Sequence, residues 1–297
     1  MQKIILIDGN SIINRAFYGI PLLTNDTGEH TNAVYGFLNI FFKLCDEETP
    51  DFAAVAFDLK EPTFRHKMYK QYKAHRKPTP AELIPQIALL KNLLRIMNIS
   101  VVEHEGFEAD DCIGTLATLS ETAGLNVIIV SGDKDMLQLA TDKTCVLIPK
   151  TKAGKTITEK YTATDVFEKI GVTPKQYICV KALMGDASDN IPGVPGIGEI
   201  TAVKIIKRYG TLEDAIRNAG DIKPAKASEN LIKNIETARL SRELSEICLN
   251  VPISLDLSSK NLDNLYNPAA LEELTRLKLK SFIARFHNGV QISFAPF

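Results

Sequence analysis

The sequence predicts an α/β protein: a mostly parallel sheet with flanking helices, followed by a helical region. Three observations predict it. Short β-branched runs alternate with segments of helical periodicity up to about Tyr161, which is the rhythm of βαβ units. Acidic residues recur where those runs end, at Asp8, Asp58, Glu108, Asp110, Asp111, Asp133 and Asp135. Beyond Tyr161 the strand signals stop, and glycine and proline punctuate short helical stretches.

The first strand is KIILID, ending at Asp8. A helix near Thr31–Cys45 and the strand FAAVAFD follow. From about Ala81 to Met97, Leu83, Ile84, Ile87, Leu90, Leu94 and Met97 repeat at helical spacing. SVVEHEG reads as the next strand, and the helix after it begins within EADDCIGTLATLSETAG and is closed by Gly124. NVIIVSGD, a short helix at Lys134–Leu139 and TCVLIPK complete the pattern. The region 162–245 reads as successive short helices and NVPISLDL as an extended segment. PAALEELTRLKLKSFIARF reads as one amphipathic helix, started by Pro268.

At 297 residues the chain can bury one large core or two modest ones. A net charge of −1 argues against a broadly basic nucleic-acid binder, although clustered acids can offset basic patches elsewhere. Cys45, Cys112, Cys145, Cys179 and Cys248 are odd in number and form no CxxC or Cys/His cluster, which predicts free thiols in a reducing compartment. The apolar run of MQKIILIDGN stops at Asp8, too early for a signal peptide. No apolar run reaches the ~18 residues of a membrane span. A cytoplasmic location is expected.

In an open α/β sheet, residues just past the strand carboxyl ends share one crevice. Carboxylates crowded there repel and raise one another's pKa. Divalent cations relieve this, and oxygen ligands suit Mg²⁺ or Mn²⁺. Asp186 and Asp189 in GDASDN join the set, one helical turn apart if that segment is helical. For any single acid, capping a helix or turn is an equal reading. Capping does not easily explain acid after every strand, so the set reads as the metal site of a phosphate-ester enzyme. Two ions about 3.5–4 Å apart can polarise a phosphodiester, activate water and steady the leaving oxygen. No histidine sits in these motifs, which argues against a zinc hydrolase.

Two further segments carry chemistry. KEPTFRHKMYKQYKAHRK, Lys60 to Lys77, interleaves Arg65, Lys67, Lys70, Lys73, Arg76 and Lys77 with Phe64, Tyr69 and Tyr72. If helical, it places Tyr69, Lys73 and Arg76 on one face, with Tyr72 beside them; the cations would hold phosphates and the rings stack on bases. The plain alternative is a solvated basic helix with its aromatics tucked into the core. The second segment, PGVPGIG at 192–198, precedes an amphipathic helix over Glu199–Tyr209. Gly193, Gly196 and Gly198 would let a phosphate approach the backbone, with Thr201, Lys204 and Lys207 adding reach. Such a contact grips sugar-phosphate and reads no base.

DGNSIINRAF, AFDLKEPTFRHKMYKQYKAHR, GFEADD, SGDKDMLQLA and LMGDASDNIPGVPGIG together resemble the 5′-nuclease (flap endonuclease-like) family, in the branch that forms the N-terminal 5′→3′ exonuclease domain of bacterial DNA polymerase I. The resemblance implies a PIN-like nuclease core over 1–165 with a helical arch near 60–85. It implies a helix-hairpin-helix DNA-binding region over 166–265, and a C-terminal helix and tail over 266–297. The implied metal ligands are Asp8, Asp58, Glu108, Asp110, Asp111, Asp133, Asp135, Asp186 and Asp189. Lys73 and Arg76 match the arch residues on the scissile phosphate, and Arg15 a further arginine near it. Arg65, Lys70, Tyr72, Gly193, Gly196, Gly198, Thr201 and Lys204 are the expected DNA contacts. Two Mg²⁺ ions, replaceable by Mn²⁺, and K⁺ at the hairpin are the expected cofactors. One position departs: Asn14 stands where the family usually carries a base-stacking tyrosine.

The expected function is a structure-specific 5′→3′ exonuclease and flap endonuclease of replication and repair. It would hydrolyse DNA and RNA-primer phosphodiesters by a two-metal mechanism, leaving 5′-phosphate and 3′-hydroxyl ends. Its partners would be DNA with a 5′ flap, nick or RNA primer, and a polymerase region following this chain. The alternatives are a PIN-type ribonuclease and a non-catalytic DNA-binding clamp.

Overall fold

The computed structural model of the chain describes residues 2–152, 155–257, 262 and 265–287. In chain order the elements are β1 (Lys3–Asp8), α1 (Gly9–Gly19), α2 (Asn32–Glu48), β2 (Phe52–Ala56), α3 (Phe64–Met68), α4 (Ile84–Ile96), β3 (Ser100–Val102), α5 (Ala109–Thr122) and β4 (Asn126–Val130), then a 3-10 turn at Lys134–Leu139. They continue with β5 (Thr144–Lys152), β6 (Lys155–Tyr161), α6 (Ala163–Ile170), α7 (Pro174–Met184), α8 (Glu199–Tyr209), α9 (Leu212–Arg217), α10 (Ala225–Lys233), α11 (Ile235–Ser245), α12 (Pro268–Arg276) and α13 (Lys280–His287).

One six-stranded sheet, in the order β3-β2-β1-β4-β5-β6, carries the fold. Every pairing is parallel except β5 with β6. The central strands read as unbroken apolar runs because both of their faces are covered. Alternate residues go to opposite layers. Ile4 and Leu6 of β1, with Val127 and Ile129 of β4, join a core built from α5 and from helices of the second half of the chain, including Val180, Leu183, Ile206 and Leu231. Ile5, Ile7, Ile128 and Val130 face a second core made with Phe37, Phe41, Leu90 and Leu94.

The structure departs from the sequence expectations in three places. Helix α1, for which the run SIINRAF gave no separate signal, directly follows β1 and is capped by Asp8. Strand β6 was not expected, because KTITEKY pairs antiparallel at an edge and lacks the apolar run of the inner strands. The single helix expected after Pro268 is two, broken at Lys278 with a left-handed φ of 58°. Both Leu277 and Leu279 are buried, and residues two apart cannot share one face of a continuous helix. The break lets both reach the core, where Phe282 of α13 stacks on Phe42 of α2 with centroids 5.4 Å apart. The last part of the expected C-terminal unit, 288–297, lies outside the described residues.

The basic segment is also different from its expectation. Only Phe64–Met68 is helical, and turns carry the chain on to α4, so there is no continuous helical arch over 60–85. Lys73 adopts a φ of 53°, and its amide donates to the Asp189 carbonyl at 2.9 Å. Asn190 Nδ2 donates to the Gln71 carbonyl at 2.7 Å. These two bonds fold the segment against the 186–190 turn, so Tyr69, Lys73 and Arg76 do not form a helical face.

Glycines are required where the chain entering the hairpin passes close to itself. Gly185 and Gly193 have φ of 74° and 61°, and a Cβ on either would strike the other's backbone. Gly198 has open space around it. Gly193→Ala is therefore expected to destabilise the protein by about 2 kcal/mol or more, from strain and backbone collision. Gly198→Ala should cost no more than about 1 kcal/mol, the scale of a lost glycine cap or less. Urea denaturation of the two variants checks this; equal losses would show that the crossing does not constrain the hairpin.

Candidate active site

The acids converge because the strands that precede them are parallel and adjacent. The strand order reverses between β1 and β4, which opens a crevice at their carboxyl ends. Asp8 is the last residue of β1 and Asp133 follows β4. Asp58 follows β2, and Glu108 and Asp110 stand at the start of α5. With Asp135 and Asp186 these residues line one cavity of about 970 Å³.

Capping and site formation coincide. Asp8 accepts from the Ser11 amide through Oδ1 at 2.9 Å and from Ser131 Oγ through Oδ2 at 2.7 Å. Asp58 accepts from the Ala109 amide at 2.8 Å and from Asn10 Nδ2 at 2.8 Å. Asp133 accepts from the Asp135 amide at 2.8 Å, capping the 3-10 turn. Each of these three acids is thus oriented by a neighbouring backbone or polar group, while the set faces a common space.

That convergence has an electrostatic cost. Burial, with the charges of Asp58 and Asp133, pushes the Asp8 carboxyl up to about 6. Burial and the neighbouring charges of Asp8 and Asp133 hold Asp110 well above the usual carboxylate range. Burial and Asp133 push Asp135 to about 7, against the opposing pull of Lys181. The protein supplies three cations of its own. Lys73 Nζ lies 2.9 Å from Glu108 Oε1 and 3.7 Å from Asp189 Oδ2. Arg76 pairs with Asp189 at 2.5 Å. Lys181, buried on α7, pairs with Asp135 at 2.7 Å and with Asp186. Burial alone would lower the Lys73 and Lys181 ammonium pKa values, but their carboxylate partners hold both above the usual value.

Not every expected residue reaches the cavity. Asp111 is fully buried and holds Arg65 through both oxygens, at 2.7 and 2.8 Å, so it is not placed to bind a metal in this crevice. Arg65, buried by the same pair, presents nothing to DNA. Tyr72 is buried too, its hydroxyl 2.9 Å from Glu108 Oε2 and 3.1 Å from Asp189 Oδ2, so its ring offers no stacking face. These placements correct the expected metal role of Asp111 and the expected DNA contacts of Arg65 and Tyr72. Gly193 is buried in the backbone crossing, which removes it from the expected phosphate contacts as well. Asp189 lies behind the cavity wall, held by Arg76 and Tyr72. Arg15 is half-buried on α1, outside the cavity lining. Lys70, Gly196, Gly198 and Lys204 are exposed, and Thr201 is half-buried.

The sequence reading missed Asn10 and Lys181, both of which line the cavity, and Tyr18, whose reach was not expected, lines it too. Lys181 had one available signal, a lone charge inside the apolar helical run YICVKALM, five residues before Asp186. Asn14 also lines the cavity and donates to the Asn10 carbonyl at 2.8 Å.

Among the described residues, no three His, Cys, Asp or Glu side chains stand in a ready-made metal shell. The donor set nonetheless fits a hard divalent cation. It is all oxygen, several of its acids carry raised pKa values through burial and mutual repulsion, and the buried Asn10 Oδ1 has no hydrogen-bond partner. Oxygen ligands of this kind suit Mg²⁺-type ions.

Comparison with known proteins gives consistent matches. The family model described as 5′-3′ exonuclease, N-terminal resolvase-like domain, matches residues 3–171. That described as 5′-3′ exonuclease, C-terminal SAM fold, matches residues 172–268. DNA polymerase I of Bacillus subtilis is 48% identical over 257 residues, which are 86% of this chain and 29% of that protein. The thermostable DNA polymerase I of Thermus thermophilus is 40% identical over 287 residues, 97% of this chain and 32% of that one. The chain thus spans about a third of the length of these relatives. A structure of T5 5′-exonuclease with bound divalent zinc ions aligns with a TM-score of 0.68 at 22% identity, covering 97% of this chain and 99% of that one. The catalytic core of Rad2 in complex with DNA substrate aligns at 0.58 and 16% identity, covering 95% and 91%. The structural likenesses show a shared fold. Among the described residues no helix is long and apolar enough to cross a membrane.

The raised carboxyl pKa values set a pH dependence. A carboxyl whose folded pKa exceeds its unfolded value adds stability that is complete below the ordinary carboxylate range and is lost as pH rises through the folded pKa. For Asp8 and Asp135 that loss runs through about 6 and about 7. In chelator, this part of the stability should fall between pH 5 and pH 8. Mn²⁺ should raise the Tm more at pH 8 than at pH 5, since protons compete for the same oxygens. Thermal denaturation with and without the ion checks the difference; equal Mn²⁺ shifts at both pH values would contradict it.

Proposed function

The chain belongs to the 5′-3′ exonuclease family, and from that premise we propose that it hydrolyses phosphodiester bonds at 5′ ends and 5′ flaps of duplex DNA, RNA primers included. The products are 5′-phosphate and 3′-hydroxyl ends. The observation that carries this reading is the single cavity in which carboxylates from four strand ends meet Lys73 and Arg76. Asp8, Asp58, Glu108 and Asp110 would hold one divalent ion, and Asp110, Asp133 and Asp135 a second, with Asp186 acting through water. Two bound Mg²⁺ ions, or Mn²⁺ in their place, would supply Lewis-acid charge and lower the pKa of water.

The remaining roles fall to the chain's own groups. Lys73 and Arg76 are neutralised by Glu108 and Asp189 in the free protein. A phosphate in the cavity offers both cations a new partner, where their charge stabilises the phosphoryl oxygens as the bond to the leaving oxygen breaks. Arg15 neighbours the cavity-lining Asn14 on α1 and would act on a phosphate beyond the cavity. Lys70, the exposed Gly196, Gly198 and Lys204 and the half-buried Thr201 would hold the duplex backbone, with K⁺ shared between hairpin carbonyls and a phosphate. Tyr18, 73% exposed and lining the cavity one helical turn beyond Asn14, offers a ring for base stacking in place of the family's tyrosine. The relatives' length makes a polymerase region the natural covalent partner.

The test is cleavage of a labelled 5′-flap duplex with Mg²⁺ and with chelator, beside single-stranded RNA as the competing substrate. Metal-dependent cleavage of the flap is expected, and preference for RNA would overturn the reading. Asp110→Asn should abolish cleavage while DNA binding in chelator persists. Lys73→Ala should lower turnover by about 10²-fold, as when a positioned charge donor is lost; a rate near that of the wild type would remove it from the site.

A further inference from the structure

The buried Arg65–Asp111 pair uses every polar group it has. The guanidinium has five N–H donors. Nη1 and Nη2 hold the two Asp111 oxygens, Nη2 also donates to the Glu246 carbonyl at 2.7 Å, and Nε donates to the Leu244 carbonyl at 2.9 Å. Nη1 lies 3.5 Å from Glu108 Oε2. Asp111 in turn accepts the Glu108 amide at 3.0 Å and the Cys248 amide at 2.8 Å. The pair thus joins the segment that carries Lys73, the start of α5 and the chain leaving α11.

The same 244–248 turn is tied to the other acidic element. Gln138, on the 3-10 turn that begins after Asp133, donates to the Ser245 carbonyl at 3.0 Å and accepts the Ile247 amide at 2.9 Å. One short piece of chain, over 230 residues from Asp8 in sequence, therefore touches both acid-bearing helix starts. A buried ion pair of this kind gives little net stability over apolar packing, because desolvation offsets the attraction. Its use lies elsewhere, in fixing geometry.

We infer that Arg65, Asp111 and Gln138 are positioning residues that fix Glu108 and Asp110 relative to Asp133 and Asp135 through the 244–248 turn. They touch neither metal nor DNA. The pair sets the backbone and Oε2 of Glu108, and Gln138 sets the turn bearing Asp135, so the spacing of the cavity's oxygens depends on a segment outside the sheet. The inference rests on the nuclease reading, and its test separates the two.

Arg65→Lys, Asp111→Asn and Gln138→Ala are compared with the wild type, each checked for folding by circular dichroism. Mn²⁺ affinity is read by isothermal titration calorimetry, flap cleavage as a function of Mg²⁺, and DNA affinity in chelator. The expected result is a rise of about tenfold or more in the Mn²⁺ Kd and in the half-activating Mg²⁺ concentration, the scale on which groups behind metal ligands act, with DNA affinity unchanged. Gln138→Ala removes no charge, and it alone decides the outcome if the other two variants fail to fold. Wild-type metal dependence in folded Gln138→Ala overturns the positioning role and leaves the nuclease reading standing. A wild-type protein that cleaves nothing overturns both.

Discussion

Carboxylate repulsion at one end of a parallel sheet is the constraint around which the rest of the structure is arranged. Two unit charges about 4 Å apart at an effective dielectric of about 20 repel by about 4 kcal/mol. A helix cap returns about 1 kcal/mol, so the amides of Ser11, Ala109 and Asp135 that meet these acids orient them without neutralising them. The remaining charge is met in two ways. Lys73, Arg76 and Lys181 reach in from segments outside the sheet. Asp8, Asp110 and Asp135 carry the remainder as raised pKa values. Both are expected of a protein whose full complement of cations includes ions it does not itself encode.

The segments that bring those cations are held by contacts distant in sequence. Lys73 is held by the Asp189 carbonyl and Lys181 stands on α7, which packs against α11. The second half of the chain therefore supplies part of the cavity wall, through Lys181 and Asp186. It closes one face of the sheet, while α12 and α13 return to cover the other beside α2 and α4. The molecule is built inward, from two cores toward a polar crevice that neither core fills.

Much of this was legible in the sequence, for identifiable reasons. The inner strands announced themselves through unbroken β-branched runs, and Asp8, Asp58 and Asp133 through their place just past those runs. Motifs such as GFEADD and SGDKD located the site because they are contiguous. What could not be read is what depends on contacts across the fold. Asp110 and Asp111 are neighbours of the same type, yet one faces the cavity and the other the interior, since successive helical residues point about 100° apart. Arg65 and Tyr72 sit in a basic run, and only the folded chain shows that both are buried. Lys278 breaks its helix because two leucines need the core at once.

Asp8 holds two posts at the same time, as the cap that launches α1 and as one corner of the carboxylate ring. Truncating it would loosen the first helix and alter the ring together, so a dead enzyme there would not reveal which loss killed it. Asp110 makes no side-chain hydrogen bond among the described residues, so its substitution alters the carboxylate ring with little architectural echo. For anyone dissecting this protein by mutagenesis, the neighbouring helix start at Asp110 is the cleaner scalpel.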